Sequence, residues 1–154
     1  MKLYRIAKTR YIRDLSGEGA RLYGGRWNLR GTPMMYTSES RALAAIEFTV
    51  HLSLSQAPGD LSLATLEIPG NISPEEIDLK ALPDHWQKYP PPQLLAEVGT
   101  EWTRSLSSLL MRVPSAVVPH EFNILINPLH KDLKKVRLIV VENFPLDNRL
   151  IGSG

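Results

Sequence analysis

Glu47 is the residue in this sequence best placed to do chemistry. It is the only Asp, Glu, Lys or Arg between Arg41 and Asp60. A helical wheel turning about 100° per residue puts it on one stripe with Leu43, Ile46, Val50 and Leu54. A carboxylate that interrupts an apolar stripe is costly to bury without a partner, so a cation must reach it from elsewhere or it must line a cleft. Such positions are enriched in active sites. The residues alone leave three readings open: an ion pair with a distant Arg, a stripe whose Glu47 end meets solvent, and a catalytic acid.

Two arginines are candidates for company. Arg5 sits inside an otherwise apolar strand, and Arg26 follows Gly24-Gly25, where backbone can approach a ligand closely. Guanidinium groups form bidentate bonds to phosphate or carboxylate, so two of them near one Glu would suit a dinucleotide pyrophosphate. A solvent-facing strand end for Arg5, and a salt bridge to Glu47 for Arg26, are equally open. Ser115, between Pro114 and an apolar run, carries a hydroxyl held by its surroundings, and no His stands at a spacing that suggests a Ser-His-Asp triad. The four histidines (His51, His85, His120 and His130) form no H-x-x-x-H or HExxH pattern and cysteine is absent, so no metal is expected. His51, four residues after Glu47, reads as a partly buried structural histidine. No P-loop and no GxGxxG turn is present, so any nucleotide site must be built another way.

The elements that must position these residues follow from pattern and punctuation. Strands are expected at Leu3 to Ile6, Met34 to Thr37, Leu61 to Ile68, Leu109 to Val113, Phe122 to Ile126 and Val136 to Glu142. Helices are expected from Ser40 to Leu54, with Ser38 as N-cap and Pro58-Gly59 closing the unit, and from Leu94 to Ser107. The four glycines between Asp14 and Gly25 suggest loops, and the proline-rich, acidic stretch from Asn71 to Pro92 suggests irregular structure. Strands outnumber helices and do not alternate with them regularly, which favours a mixed α+β domain over a doubly wound parallel sheet.

Composition narrows the function classes. A chain of 154 residues with 43% hydrophobic and 22% charged residues is the size and make-up of one ordinary globular domain. Eighteen Lys and Arg against 16 Asp and Glu give a formal charge of +2, too even a balance for a dedicated nucleic-acid binder. The one dense basic run, Lys131 to Arg137, reads as a solvated turn. Apolar runs are too short to span a bilayer and the N-terminus has no apolar signal segment, so a cytoplasmic protein with no membrane partner is expected.

The ordered blocks Leu3-Tyr4-Arg5-Ile6, Gly25-Arg26-Trp27-Asn28, Tyr36, Glu47, Val113-Pro114-Ser115-Ala116 and Asn123-Ile124-Leu125-Ile126-Asn127-Pro128 resemble the RES family, named for an Arg, a Glu and a Ser. The tail Asp147-Asn148-Arg149-Leu150 is similar to the family's closing motif, and nothing is recognised from Pro69 to Gln93. The resemblance gives residues 1–151 to a RES domain and leaves 152–154 as an appended remnant. It implies a fold similar to ADP-ribosyltransferase toxins and cleavage of NAD as substrate, without a further cofactor. It also implies a partner antitoxin with an Xre-type DNA-binding domain, and homodimerisation within the complex stays open. By the same resemblance Arg26, Glu47 and Ser115 are catalytic, while Arg5, Arg26, Tyr36 and Asn127 bind NAD. Asn123 is a looser candidate for the pocket. The acceptor of ADP-ribose, whether water, phosphate or a protein, is not fixed, and a toxin acting on RNA or by binding alone is the contrasting reading.

Overall fold

The computed structural model describes residues 1–52 and 59–151, with the side chain of Ile151 excepted. Its elements in chain order are β1 (Lys2–Lys8), α1 (Glu18–Tyr23), β2 (Met35–Ser38), α2 (Arg41–Val50) and β3 (Leu61–Glu67). They continue with β4 (Glu75–Glu76), α3 (Gln93–Ser105), β5 (Leu110–Pro114), β6 (Phe122–Ile126) and β7 (Arg137–Asn143). Short 3₁₀ turns cover Thr9–Tyr11, Leu79–Ala81, Lys131–Lys135 and Asn148–Ile151.

The seven strands among the described residues join one sheet in the order β4-β5-β6-β2-β1-β3-β7. Every pairing is antiparallel except the short β4–β5 contact. The α+β reading therefore holds. Alternation along the strands separates two faces, because directly paired residues point the same way. One face carries Leu3, Met35, Leu66, Leu110, Ile124 and Ile126, packed under Leu15, Ile72 and Leu133 from the connections. The other carries Met111, Val113 and Leu125, which pack with Trp27 and Met34 and with Leu95 and Trp102 of α3. Tyr36, Ser38 and Asn123 lie on this second face by register: Tyr36 pairs with Leu125, and Ser38 with Asn123.

Several local expectations are corrected by the chain's own hydrogen bonding. Ser38 does not cap α2. It is the last residue of β2, and Ser40 is the N-cap, accepting the Leu43 N–H on its hydroxyl at 3.0 Å. The glycine-rich stretch holds a six-residue helix, entered at Gly17 (φ 72°) and left at Gly24 (φ 73°), both left-handed positions that glycine adopts without strain. Within the stretch expected to be irregular, Glu75 and Glu76 pair with Met111 and Arg112 of β5. The basic run is not a plain turn: Lys131–Lys135 is a 3₁₀ helix, and β7 starts at Arg137. His51 is the exposed C-cap residue of α2. The expected helical stripe is buried at Leu43, half-buried at Ile46 and Glu47, and exposed at Val50. Leu54, Pro58 and the tail 152–154 lie outside the described residues.

Candidate active site

Glu47 reaches the second face of the sheet from the second turn of α2, and two donors meet on one of its oxygens. Ser115 donates its hydroxyl to Glu47 Oε1 at 2.6 Å, and Asn123 donates Nδ2–H to the same atom at 2.7 Å. Among the described residues, Oε2 receives no hydrogen bond. The carboxylate is therefore held through one oxygen.

Ser115 has little freedom left. Its backbone N–H donates to the Glu121 carbonyl, closing the β5–β6 connection, and its hydroxyl oxygen accepts the N–H groups of Val117 and Val118 at 3.1 and 3.0 Å. Its one proton goes to Glu47 and both lone pairs are engaged, so this buried hydroxyl is fixed in orientation. Asn123 is fixed in turn: its Oδ1 accepts the Ser38 hydroxyl at 2.7 Å.

Arg26 stands at the tip of a tight turn closed by reciprocal backbone bonds between Gly25 and Asn28. The turn is pinned from below. Tyr36 accepts the Trp27 N–H at 3.0 Å and donates its hydroxyl to Asn28 Oδ1 at 2.6 Å. A Cβ on Gly25 would stand 2.6 Å from that same hydroxyl, so only glycine lets the phenol come this close to the turn. Burial drives the Tyr36 pKa well above the ordinary tyrosine value, opposed by the Trp27 N–H and the nearby Arg26. The Arg26 guanidinium donates to the carbonyls of Trp86 at 2.7 Å and Lys88 at 3.2 Å. Desolvation lowers its pKa, while the charge of Glu47 pulls the other way. Among the described residues it forms no ion pair, so the salt bridge to Glu47 left open by the sequence is not made. Among the described residues, two of its five N–H groups have hydrogen-bond acceptors.

The structure thus brings Arg26, Tyr36, Glu47 and Ser115 into one neighbourhood and leaves two expected residues out of it. Arg5 leaves β1 on the opposite face, with Leu3, because Tyr4 is the residue paired with Ser38. Its guanidinium donates to the Asp14 carbonyl at 2.8 Å, and desolvation lowers its pKa. Asn127 lies fully buried beyond the other end of β6, donating to the Thr103 carbonyl and accepting the Leu129 N–H. Arg5 ties the segment after β1 to the sheet, and Asn127 ties α3 to the segment that follows β6. The sequence offers Ser38 only as a helix cap, and the structure places it behind Asn123. The available signal was alternation: Phe122-Asn123-Ile124-Leu125-Ile126 puts a polar residue in phase with the core residue Leu125.

A surface depression of about 520 Å³ is lined by Leu29 and by Glu97, Thr100, Glu101, Arg104 and Ser105 of α3. It shares no residue with the Glu47 cluster. Among the described residues no His, Asp and Glu group could hold a metal ion, and no helix is long and apolar enough to cross a membrane.

Comparison with known proteins places this geometry in context. The profile of the RES domain matches residues 2–147. A protein of Photorhabdus laumondii named Toxin Res is 37% identical over 153 residues, covering 98% of this chain and 97% of its own. A Sphingobium protein named Prs ADP-ribosylating toxin is 38% identical over 147 residues, covering 94% and 91%. In fold, the chain is similar to one in the crystal structure of the M. tuberculosis MbcT–MbcA toxin–antitoxin complex, with a TM-score of 0.74 at 17% identity over 93% of this chain and 83% of that one. With its Arg, Glu and Ser assembled around one carboxylate and the family profile spanning nearly its whole length, the chain belongs to the RES-domain family.

Proposed function

We propose that this protein is the toxin of a toxin–antitoxin pair, and that it cleaves NAD at the bond between nicotinamide and ribose, depleting the cytoplasmic NAD pool. The observation that carries the reading is the Glu47 carboxylate, held through Oε1 by Ser115 and Asn123. Cleavage breaks the C1′–N bond with its electron pair leaving on nicotinamide, so positive charge develops on the ribose ring as in glycoside hydrolysis. A fixed carboxylate beside that ring stabilises the charge as it forms, and Oε2 is free to accept a ribose hydroxyl. Water or phosphate then attacks C1′, giving ADP-ribose or its phosphorylated form and releasing a proton when water is the acceptor.

Arg26 supplies the anion-binding charge for the pyrophosphate. Its position depends on Tyr36 beneath the turn and on the Trp86 and Lys88 carbonyls beside it. A partner antitoxin, of the Xre type by the family resemblance, holds the enzyme silent; the MbcT–MbcA pair supports a protein partner for this fold. Transfer of ADP-ribose to a protein uses the same pocket with a different acceptor, and the name of the Sphingobium relative favours it as the second reading.

The test is NAD consumption by the purified protein, freed from any partner, against Glu47→Gln, which keeps shape and removes charge. Loss of NAD that the variant abolishes is the expected outcome. Mass analysis of the products names the acceptor: free ADP-ribose, its phosphate, or a labelled protein. NAD left intact in the presence of phosphate and acceptor proteins would sink the enzyme reading, and a Glu47→Gln toxin that still arrests growth would point to RNA or to binding alone.

A further inference from the structure

We infer that Asn123, oriented by the Ser38 hydroxyl, is a positioning residue that aims Glu47 at the substrate. This inference rests on the NAD-cleaving reading of the same site. It starts from an ambiguity in every asparagine: the amide can present either its oxygen or its NH2 to a neighbour. Facing a carboxylate, the wrong end would bring two acceptors to 2.7 Å with no proton between them. Ser38 removes the ambiguity by donating to Oδ1 at 2.7 Å, which leaves Nδ2 turned toward Glu47 Oε1.

The location of Ser38 makes this device part of the chain's path. Ser38 is 4% exposed, ends β2 and is paired in register with Asn123. Two residues later Ser40 caps α2, so one short corner sets both the start of the helix that carries Glu47 and the amide that receives it. Glu47 has three rotatable side-chain bonds, and a single contact at Oε1 would leave the carboxylate plane free to swing. Donors arriving from β6 and from the β5–β6 connection hold that oxygen from two directions. The plane is then set, and Oε2 points where Oε1 does not. Asn123 acts through Glu47 and need not touch NAD.

The experiment compares Asn123→Ala, Ser38→Ala and Ser38→Thr with the full-length wild-type chain. Both alanine variants are expected to lose kcat by roughly tenfold or more, as when a partner that orients a reacting group is removed, with KM for NAD held within about twofold. Ser38→Thr retains the hydroxyl in a strand that accepts branched residues, and should restore kcat. Wild-type kcat in Ser38→Ala, or a fall in affinity alone, would overturn the inference. A second measurement does not depend on turnover: urea unfolding of Glu47→Ala, Asn123→Ala and the double variant. Non-additive midpoints support the coupling and additive ones refute it. Should wild-type protein leave NAD intact while the coupling persists, the proposed reaction falls and the positioning of Glu47 stands.

Discussion

Tyr36 acts from beneath the Arg26 turn. Its hydroxyl both accepts the Trp27 N–H and donates to Asn28, so Tyr36→Phe strands a buried acceptor and a backbone donor. A loss of about 1–3 kcal/mol is expected in urea unfolding, with weaker NAD binding as the turn loosens. Tyr36 also sets a pH dependence. Its folded pKa is raised, chiefly by burial, so the neutral phenol is the form the fold favours. That stability is fully present below the ordinary tyrosine range and is lost as pH climbs above about 10 toward the raised value. Stability measured from pH 8 to 11 should therefore fall at the alkaline end in the wild type and fall less in Tyr36→Phe. At this scale the sequence was readable where a residue is odd in its own neighbourhood: Glu47 stands out as a lone charge among apolar residues. It was unreadable where two residues share a chemistry. Asn123 and Asn127 flank the same run of three apolar residues, and only the pairing of Ser38 with Asn123 decides which amide meets Glu47. The place of Arg5 is hidden for the same reason, since the face of β1 on which it falls depends on a partner strand more than thirty residues away.

The elements hold the site by close approach of backbones. Gly99 lies buried in α3, and a Cβ there would stand 1.8 Å from the Trp27 carbonyl oxygen. Leu29 N–H donates to Thr100 one residue further along α3, so the helix seats the segment just after Arg26. Gly99→Ala is expected to cost about 3 kcal/mol or more, since backbone and not a flexible side chain must yield, and to lower NAD turnover as the turn shifts. Gly19→Ala is the contrasting variant. Gly19 lies in α1 with nothing within 4 Å of an added Cβ, so helix propensity should make it more stable by about 0.5–1 kcal/mol in the same urea assay. Strands rich in apolar residues were legible almost to the residue, β6 fully so despite Asn123 within it. Alpha-1 was hidden because a sequence with a glycine at each end and one inside looks like a loop, although Gly17 and Gly24 are there to begin and end a helix. Strand β4 carries no apolar pattern at all; two exposed glutamates become a strand because the edge of β5 is open to them.

Across the whole molecule, the site is assembled from segments that lie far apart in sequence. Glu47 meets Ser115 and Asn123 across separations of 68 and 76 residues, and Arg26 meets Trp86 across 60. The sheet brings them together: β2, which leads into α2, lies directly beside β6. Such contacts form only once most of the chain has paired. A protein truncated after Leu109 keeps Arg26, Tyr36 and Glu47 but lacks β5, β6 and both donors to the carboxylate, and it should show no NAD loss in the assay that reports wild-type activity. The order of synthesis then carries a biological meaning. A ribosome working along this message exposes Glu47 long before Ser115 and Asn123, so under the proposed reaction an unfinished chain is expected to be inactive. On that reading NAD loss would begin only after the last third of the protein has emerged and folded, a delay in which a partner antitoxin could bind.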